Sequence, residues 1–320
     1  MATADIAVST PDQMSQLSST QIAAMSTAQI AALNTASVAS LSASALSSFS
    51  VNQIFALVTA QIAALNPDTQ IASLNNSQVA ALSTAQILAL STDQVVSLTS
   101  SQVSKMTSAQ IASMTTAQIS AMETRDFITL GSAQVSALKT SQIAALTIDQ
   151  ISNILTDQFK FFTSSQMTSL TSDQILALSV EQVRTLTGTQ MAALSSSQLS
   201  VIGLEGISAM STNQFASLST AAVSALTSDQ LGVISTRQLN SLSSNQIAAL
   251  TTSQILALSA DQIKSLGTTQ LSGFGTKHIA ALEDEDVAAL TQAQVRSLTT
   301  LQMSGFTAQQ VNAFITKQMI

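Results

Sequence analysis

Few side chains in this sequence have the type and spacing that catalysis or metal binding requires. The 320 residues contain a single histidine, His278, and no cysteine. His278 lies in the stretch "GTKHIAAL" (275–282), and a metal site needs further histidine, cysteine or carboxylate ligands around it. We therefore expect His278 to replace a helix-capping glutamine, and we assign it no catalytic role.

Four consecutive carboxylates, "EDED" at 283–286, form the densest charge in the chain. They could attract Ca²⁺, but they lack the Asp-x-Asp-x-Asn-Gly spacing of a dedicated calcium loop. We expect a solvated helix start, with Glu283 at the N-cap and with Asp284 and Glu285 in the first turn, where the helix dipole favours negative charge. Asp286 falls in a column that is mostly glutamine. Whether Glu283 to Asp286 bind Ca²⁺ is left open by the sequence.

Arg125 and Asp126 are neighbours in "METRDFITL" (122–130), where Asp126 again replaces glutamine. The sequence predicts an exposed ion pair there, which contributes little to stability. We find no Ser/His/Asp set, no pair of carboxylates placed for acid and base catalysis, and no glycine-rich phosphate loop. We therefore predict no catalytic, cofactor-binding or metal-binding residues, no cofactor and no enzymatic activity.

The phrase "STAQIAAL" (26–33) recurs with small changes about every eight residues. It defines the repeat S/T/N-x-x-Q-I/V-x-x-L, in one frame from about Asp5 to Leu65 and in a second from Gln70 to Ile320, after one extra residue in "NPDT" (66–69). About forty repeats fit, and the fourth position is glutamine in 32 of them. The fifth and eighth positions are apolar almost throughout, which gives each repeat one apolar edge.

A period of eight excludes both one continuous helix and a strand. Eight helical residues turn through about 800°, so each apolar pair would be about 80° out of phase with the pair before it. In a strand, the fifth and eighth positions would lie on opposite faces because side chains alternate. The helix must therefore be interrupted once in every repeat.

The first position shows how each helix starts. Ser, Thr or Asn followed three residues later by Gln is a capping box, in which the two side chains satisfy two backbone N–H groups at the helix start. Two helical turns bury too little to stand alone, so the repeats must stack. The sequence predicts an all-α solenoid of about forty 8-residue repeats, each a short capped helix, with one-residue corners and Ile and Leu inside. The frame slip predicts two stacks, residues 1–66 and 67–320.

Composition restricts the partners. The formal net charge is −7, and the ten Lys and Arg are scattered singly, so no basic patch is present for nucleic acid or an anionic membrane. Apolar runs are far shorter than the roughly 20 residues of a membrane span. The segment "MATADIAVSTPDQ" lacks the regions of a cleaved signal peptide. We expect an extracellular or cell-surface protein exported without one, and the cytoplasm is the alternative.

The stretches "STAQIAALNTASVASL" (26–41) and "LTSSQVSKMTSAQIASMTTAQISAM" (98–122) resemble the short TAQIAAL-type tandem repeats of large bacterial surface or secreted proteins. Such proteins are labelled adhesins or haem-utilisation proteins. The resemblance covers nearly the whole chain as a style of repeat, and it transfers no functional residue. The haem label finds no support, because His278 is a single candidate axial ligand.

Two functions fit these observations. The first is a structural, self-assembling protein, the subunit of an extracellular filament, sheath or surface layer, whose partner is a second copy of itself. The alternative is an adhesin-like binding module or rigid stalk that contacts a cell surface or carbohydrate through Ser/Thr-rich faces. In the first case we expect end-to-end association, in which Met319 and Ile320 of "TKQMI" (316–320) continue the apolar column into another copy.

Overall fold

The computed structural model of the chain describes residues 3–318, and of residues 4, 5 and 314–318 it describes the backbone alone. The chain divides into two compact units, Met1–Phe161 and Phe162–Ile320, which we call the N-terminal and the C-terminal unit. Over residues 3–318 all regular secondary structure is helical, which confirms the all-α prediction. Met319 and Ile320 lie outside the described residues.

The N-terminal unit contains helices α1 to α19, with a π-helix (Pro67–Ile71) between α8 and α9. In chain order the α-helices are Thr3–Ala7, Pro11–Ser15, Ser19–Ala23, Thr27–Ala32, Thr35–Ala39, Ala43–Ser47, Val51–Ala56, Thr59–Ala63, Asn76–Ala81, Thr84–Leu88, Thr92–Val96, Ser100–Lys105, Ser108–Ser113, Thr116–Ala121, Thr124–Phe127, Ser132–Ala137, Thr140–Ala144, Ile148–Asn153 and Thr156–Phe159.

The C-terminal unit contains helices α20 to α38. In chain order they are Ser164–Ser169, Ser172–Leu176, Val180–Thr185, Gly188–Ala193, Ser196–Ser200, Leu204–Ala209, Thr212–Ser217, Thr220–Val223, Ser228–Val233, Thr236–Asn240, Ser244–Ala248, Thr252–Leu256, Ala260–Ser265, Thr268–Leu271, Thr276–Ala281, Asp284–Ala289, Gln292–Ser297, Thr300–Met303 and Ala308–Gln318.

One short helix per repeat is the rule, and the junction between α13 and α14 shows why. Thr115 precedes α14 with extended backbone angles (φ −72°, ψ 163°), and its side chain accepts from the backbone N–H of Gln118. Met114, the C-cap of α13, is also non-helical, with ψ 147°. Two residues therefore separate these helices, and three separate α10 from α11. The prediction of one-residue corners is wrong, because both the last apolar residue and the N-cap must leave the helical conformation.

The apolar columns form the core, as predicted. Ile111 at the fifth position is 0% exposed and Met114 at the eighth is 3% exposed. The same two columns are buried through most of both units. Since burial of each such side chain contributes about 1.5–3 kcal/mol, this interior is the main source of stability.

Each helix packs against the third helix further along the chain. In the N-terminal unit α10 contacts α13 and α13 contacts α16, and in the C-terminal unit α23 contacts α26 and α32 contacts α35. Hydrogen bonds described below reach the fourth repeat back. One turn of the solenoid therefore takes between three and four repeats, a number that the sequence did not provide.

The π-helix absorbs the extra residue at the frame slip. Asn66 is its N-cap and Pro67 its first residue, as a proline without a backbone N–H allows. Gln70 Oε1 accepts from the Asn66 N–H four residues earlier, where other repeats have a spacing of three. Gln70 still reaches the preceding coil, through the carbonyl groups of Val38 and Leu41. Contacts of the N-terminal unit thus continue across the slip, while the division into stacks 1–66 and 67–320 stays a prediction.

Candidate functional site

The side chain at the fourth position joins successive coils, and Gln118 in α14 is representative. Its Oε1 accepts from the backbone N–H of Thr115 at 2.7 Å. Its Nε2 donates to the carbonyl oxygens of Ile87 at 2.9 Å and Leu90 at 2.7 Å, four repeats earlier. Gln118 is 2% exposed. One buried amide therefore caps its own helix and ties it to the coil below.

The same bonds recur along each unit, and we call the participating glutamines the amide ladder. Each donates through Nε2 to carbonyl groups 28 to 32 residues earlier. In the N-terminal unit they are Gln53, Gln61, Gln70, Gln78, Gln86, Gln94, Gln102, Gln110, Gln118, Gln134, Gln142, Gln150 and Gln158. In the C-terminal unit they are Gln190, Gln198, Gln214, Gln230, Gln238, Gln246, Gln254, Gln262, Gln270, Gln294, Gln302 and Gln310.

The chemistry of the primary amide explains the choice of residue. It carries one acceptor oxygen and two N–H donors without a charge, so it serves an N–H on one side and two carbonyl groups on the other. A charged group would have to be desolvated in the same place. Sequence reasoning missed this ladder, because it treated glutamine only as half of a capping box.

A signal for the ladder was present in the sequence. A capping box accepts Glu as readily as Gln, yet no repeat has Glu at the fourth position. A carboxylate stands there in only three repeats, as Asp5, Asp126 and Asp286, which indicates that the N–H donors of the amide matter.

His278 occupies the place of a ladder glutamine in α34. Its Nδ1 accepts from the Gly275 N–H at 3.2 Å, and its Nε2 donates to the Leu250 carbonyl at 2.8 Å, 28 residues earlier. The Phe274 ring packs edge-on against the imidazole, with 5.7 Å between the ring centroids. Burial lowers the pKa of His278, and the bond to Leu250 offsets part of that change. Both ring nitrogens are thus engaged in the fold.

Asp126 is placed differently from the expectation. The sequence predicted an exposed ion pair, but Asp126 is 0% exposed because the fourth position points into the preceding coil. Arg125 stays at the surface, pairs with Glu123, and approaches Asp126 Oδ1 only to 3.9 Å. Ser100 Oγ donates to Asp126 Oδ1, and Oδ2 has no partner among the described residues. The prediction of an exposed pair is therefore wrong.

The acidic run lies at the start of α35, with Glu283 as N-cap. Asp284 and Glu285 stand in the first turn, and Asp284 Oδ2 accepts from Gln309 Nε2 at 2.7 Å. Asp286 is 5% exposed, and its Oδ2 accepts from the Glu283 N–H at 3.2 Å. Between residues 3 and 318, no three His, Cys, Asp or Glu side chains are grouped closely enough to hold a metal ion.

Gly206 interrupts the ladder in the C-terminal unit. Without a side chain at the fourth position, a cleft of about 340 Å³ opens beside it, lined mainly by apolar residues including Leu176, Leu178 and Leu204. Leu178 is half-buried, whereas most eighth-position side chains are buried. The glutamine thus also shields the apolar column of the coil below.

These features define a class of protein: a tandem-repeat α-solenoid whose coils are joined by buried amides. The sequence pattern of the ALTTAQ repeat matches residues 71–108, 119–156, 202–236, 231–260 and 279–316, together more than half of the chain. The chain belongs to the ALTTAQ repeat family. The six letters correspond to the seventh and eighth positions of one repeat and the first four of the next, ending on the ladder glutamine, as in "ALTTSQ" (249–254). No curated protein matches the chain.

None of the helices within residues 3–318 is both long enough and apolar enough to cross a bilayer.

Proposed function

We propose that this protein is structural and assembles with copies of itself, as the subunit of an extracellular filament, sheath or surface layer. The observation that supports the proposal is the direction of the amide ladder. Wherever a ladder glutamine stands, the later coil donates N–H groups and the earlier coil accepts them through its carbonyl oxygens, as Gln118 shows. At a boundary between two successive coils, the two facing surfaces are therefore different and complementary.

Complementary faces favour a head-to-tail contact between copies. Such a contact is heterologous, and where its rotation does not close a ring it produces an open filament. The argument starts from the polarity of the repeat, and exposed residues of the same columns give the places at which it can be tested. No catalysis and no cofactor form part of the proposed role.

Surface residues available for this contact are found in both units. The side chain of Gln21 is exposed, while its Oε1 still caps the helix through Ser18. Met303 and Val311 belong to the fifth-position column, yet they are 45% and 43% exposed. A second copy that continued the coil would pair the amide and cover the apolar groups.

A matched pair of variants tests this assembly. Met303→Lys should reduce association because it places a charge in the face that the next copy covers, while Leu256→Lys, at a surface residue that is 50% exposed, should leave association unchanged. Light scattering and negative-stain microscopy of the purified chain measure the outcome, with circular dichroism to show equal helix content. Filaments that survive Met303→Lys and disappear in Leu256→Lys would mean lateral packing instead.

Self-assembly would be contradicted if the unmodified protein stayed monomeric at high concentration. That result would favour the alternative, a binding module or stalk.

We place the assembly outside the cell, and the support is the resemblance to surface and secreted repeat proteins. Fractionation of the producing cells with an antibody against the chain tests this placement. Recovery in the medium or the surface fraction is expected, and recovery with cytoplasmic markers alone would contradict it.

A further inference from the structure

Among the side chains that the structure describes, three titratable ones occupy the glutamine column: Asp126, His278 and Asp286, which are 0%, 9% and 5% exposed. The column requires a group that accepts from an N-cap N–H and donates to a carbonyl group of the preceding coil. A neutral imidazole has both functions, and His278 uses both. A carboxylate only accepts, whereas a protonated carboxyl also donates.

Two hydrogen-bond acceptors near Asp126 have no donor within the described part of the chain. In the register of Gln118, the carbonyl groups that correspond to Asp126 are those of Val95 and Leu98. No described residue donates to the Leu98 carbonyl, and Asp126 Oδ2 has no partner either. Both are acceptors if Asp126 is ionised. A proton on Oδ2 would make that oxygen a donor for the Leu98 carbonyl, so that neither atom is left without a partner.

Asp286 shows part of the same pattern in the C-terminal unit, namely a carbonyl group of the preceding coil without a described donor. Its Oδ2 accepts from the Glu283 N–H, as a ladder glutamine oxygen does. By register its carbonyl partners are those of Ile255 and Leu258, and the Leu258 carbonyl receives no hydrogen bond from a described residue. The two sites are independent in sequence and share the same missing donor.

We propose that Asp126 and Asp286 are held as neutral carboxylic acids, each donating its O–H to the carbonyl group that a glutamine amide serves in other coils. The proton is then a structural ligand at two levels of the solenoid. At low pH the protonated carboxyl groups stabilise the contact between these two coils and the preceding ones. A rise in pH destabilises that contact, because an ionised carboxylate in that place is a buried charge facing carbonyl oxygens.

Nearby charges do not replace the proton at Asp126. Glu123 and Arg125 flank it, and Arg125 pairs with Glu123 at the surface. On the helices packed against α15, Lys105 of α12 is exposed, and Asp149 of α18 is exposed and accepts from Thr124. No cation among these side chains reaches Asp126 Oδ2.

Asp286 also lies among more carboxylates than cations. Its own helix α35 and the N-cap contribute three acidic groups, the packed helix α32 contributes one exposed acid and one exposed lysine, and the side chain of the lysine on α38 is outside the described residues. The residues concerned are Glu283, Asp284, Glu285, Asp261, Lys264 and Lys317. The local field therefore favours the neutral acid.

The pKa directions agree with this geometry. Burial is the largest cause that raises the pKa of Asp126 and Asp286 above the ordinary value of 3.8. Their contribution to stability is complete below 3.8 and is lost as the pH rises through the raised value. His278 has the opposite sign: burial lowers its pKa from 6.5, so its contribution is present above 6.5 and is lost as the pH falls through the lowered value. Neither α31 nor α37, which pack against α34, carries a titratable residue, and Lys277 beside His278 is exposed.

Urea unfolding between about pH 4 and pH 8 tests the proposal. The midpoint of the unmodified chain should fall as the pH rises through the pKa values of the two buried acids. The double variant Asp126→Asn with Asp286→Asn carries neutral amides of the same shape and should lose that fall. Asp173→Asn, at an exposed first-turn aspartate, should keep it. His278→Gln should remove the loss of stability on the acid side.

Isotope-edited infrared spectroscopy of labelled aspartate gives a second measurement that does not depend on folding of the double variant. We expect a carboxylic acid C=O band that persists at pH values above the ordinary aspartate pKa of 3.8. It should weaken in each of the two single variants, Asp126→Asn and Asp286→Asn. A spectrum with carboxylate bands alone, or an unchanged pH slope in the double variant, would overturn the proposal. A midpoint that Ca²⁺ raises in the unmodified chain and not in the double variant would also overturn it, because a cation would then hold the place of the proton.

Discussion

Replacement of Ile111 by Asp should destabilise the coils around α13 by at least about 4 kcal/mol. Ile111 is 0% exposed, and its backbone N–H and carbonyl already take part in the helix and in the bond from Gln142. A carboxylate there has no cation and no donor, so it must either stay charged in an apolar interior or bind a proton. The loss is measured from urea or thermal unfolding followed by circular dichroism.

The matched control for this change is Leu88→Asp in α10. Leu88 is 52% exposed, so the new carboxylate stays in water and should change the free energy of unfolding by less than about 0.5 kcal/mol. Equal tolerance of Ile111→Asp and Leu88→Asp would contradict the account, because the fifth position would then face solvent.

The second large effect is expected for Gln110→Ala. Gln110 Oε1 accepts from the Thr107 N–H at 2.6 Å, and Nε2 donates to the carbonyls of Val79 at 2.9 Å and Leu82 at 2.7 Å. Alanine removes these bonds, together with a longer one to the Ala80 carbonyl at 3.3 Å, and leaves the buried Leu82 carbonyl without a donor. We expect a loss of about 2–4 kcal/mol, well above the roughly 1 kcal/mol of a helix cap alone.

Gln13 provides the control within the same chain. It makes the same cap bond, from the Thr10 N–H to Oε1 at 2.9 Å, but its side chain is exposed. Gln13→Ala should therefore cost only about 0.5–1 kcal/mol. Gln110→Glu separates the two roles further, because Glu keeps the cap acceptor and loses the donors. A Gln110→Glu variant as stable as the unmodified chain at neutral pH would show that the ladder bonds contribute nothing.

Local chemistry in the sequence was sufficient for the helix starts and the core. Thr115 and Gln118 predict a capped helix from spacing alone, and Ile111 and Met114 predict its apolar edge. Both follow from contacts within one repeat, and such contacts can be recognised from the spacing of residues in a periodic sequence.

Contacts between coils were not predictable in the same way. The partners of Gln118 lie 28 and 31 residues earlier, and that distance depends on how many repeats fill one turn, which is set by the backbone geometry of the corners. Asp126 was misplaced for the same reason: within its own repeat it stands beside Arg125, and only the preceding coil buries it. The absence of Glu from the fourth position was the one sequence signal for contact with the preceding coil.

The central claim, that buried glutamine amides join successive coils, is tested most directly by hydrogen exchange of the glutamine side-chain N–H groups, observed by NMR in nitrogen-15-labelled protein. The account predicts slow exchange for ladder glutamines such as Gln110 and Gln118, whose N–H groups donate to buried carbonyls, and fast exchange for the exposed Gln13 and Gln21, assigned by their Ala variants. Glutamine side chains that all exchange as fast as Gln13 and Gln21 would contradict it.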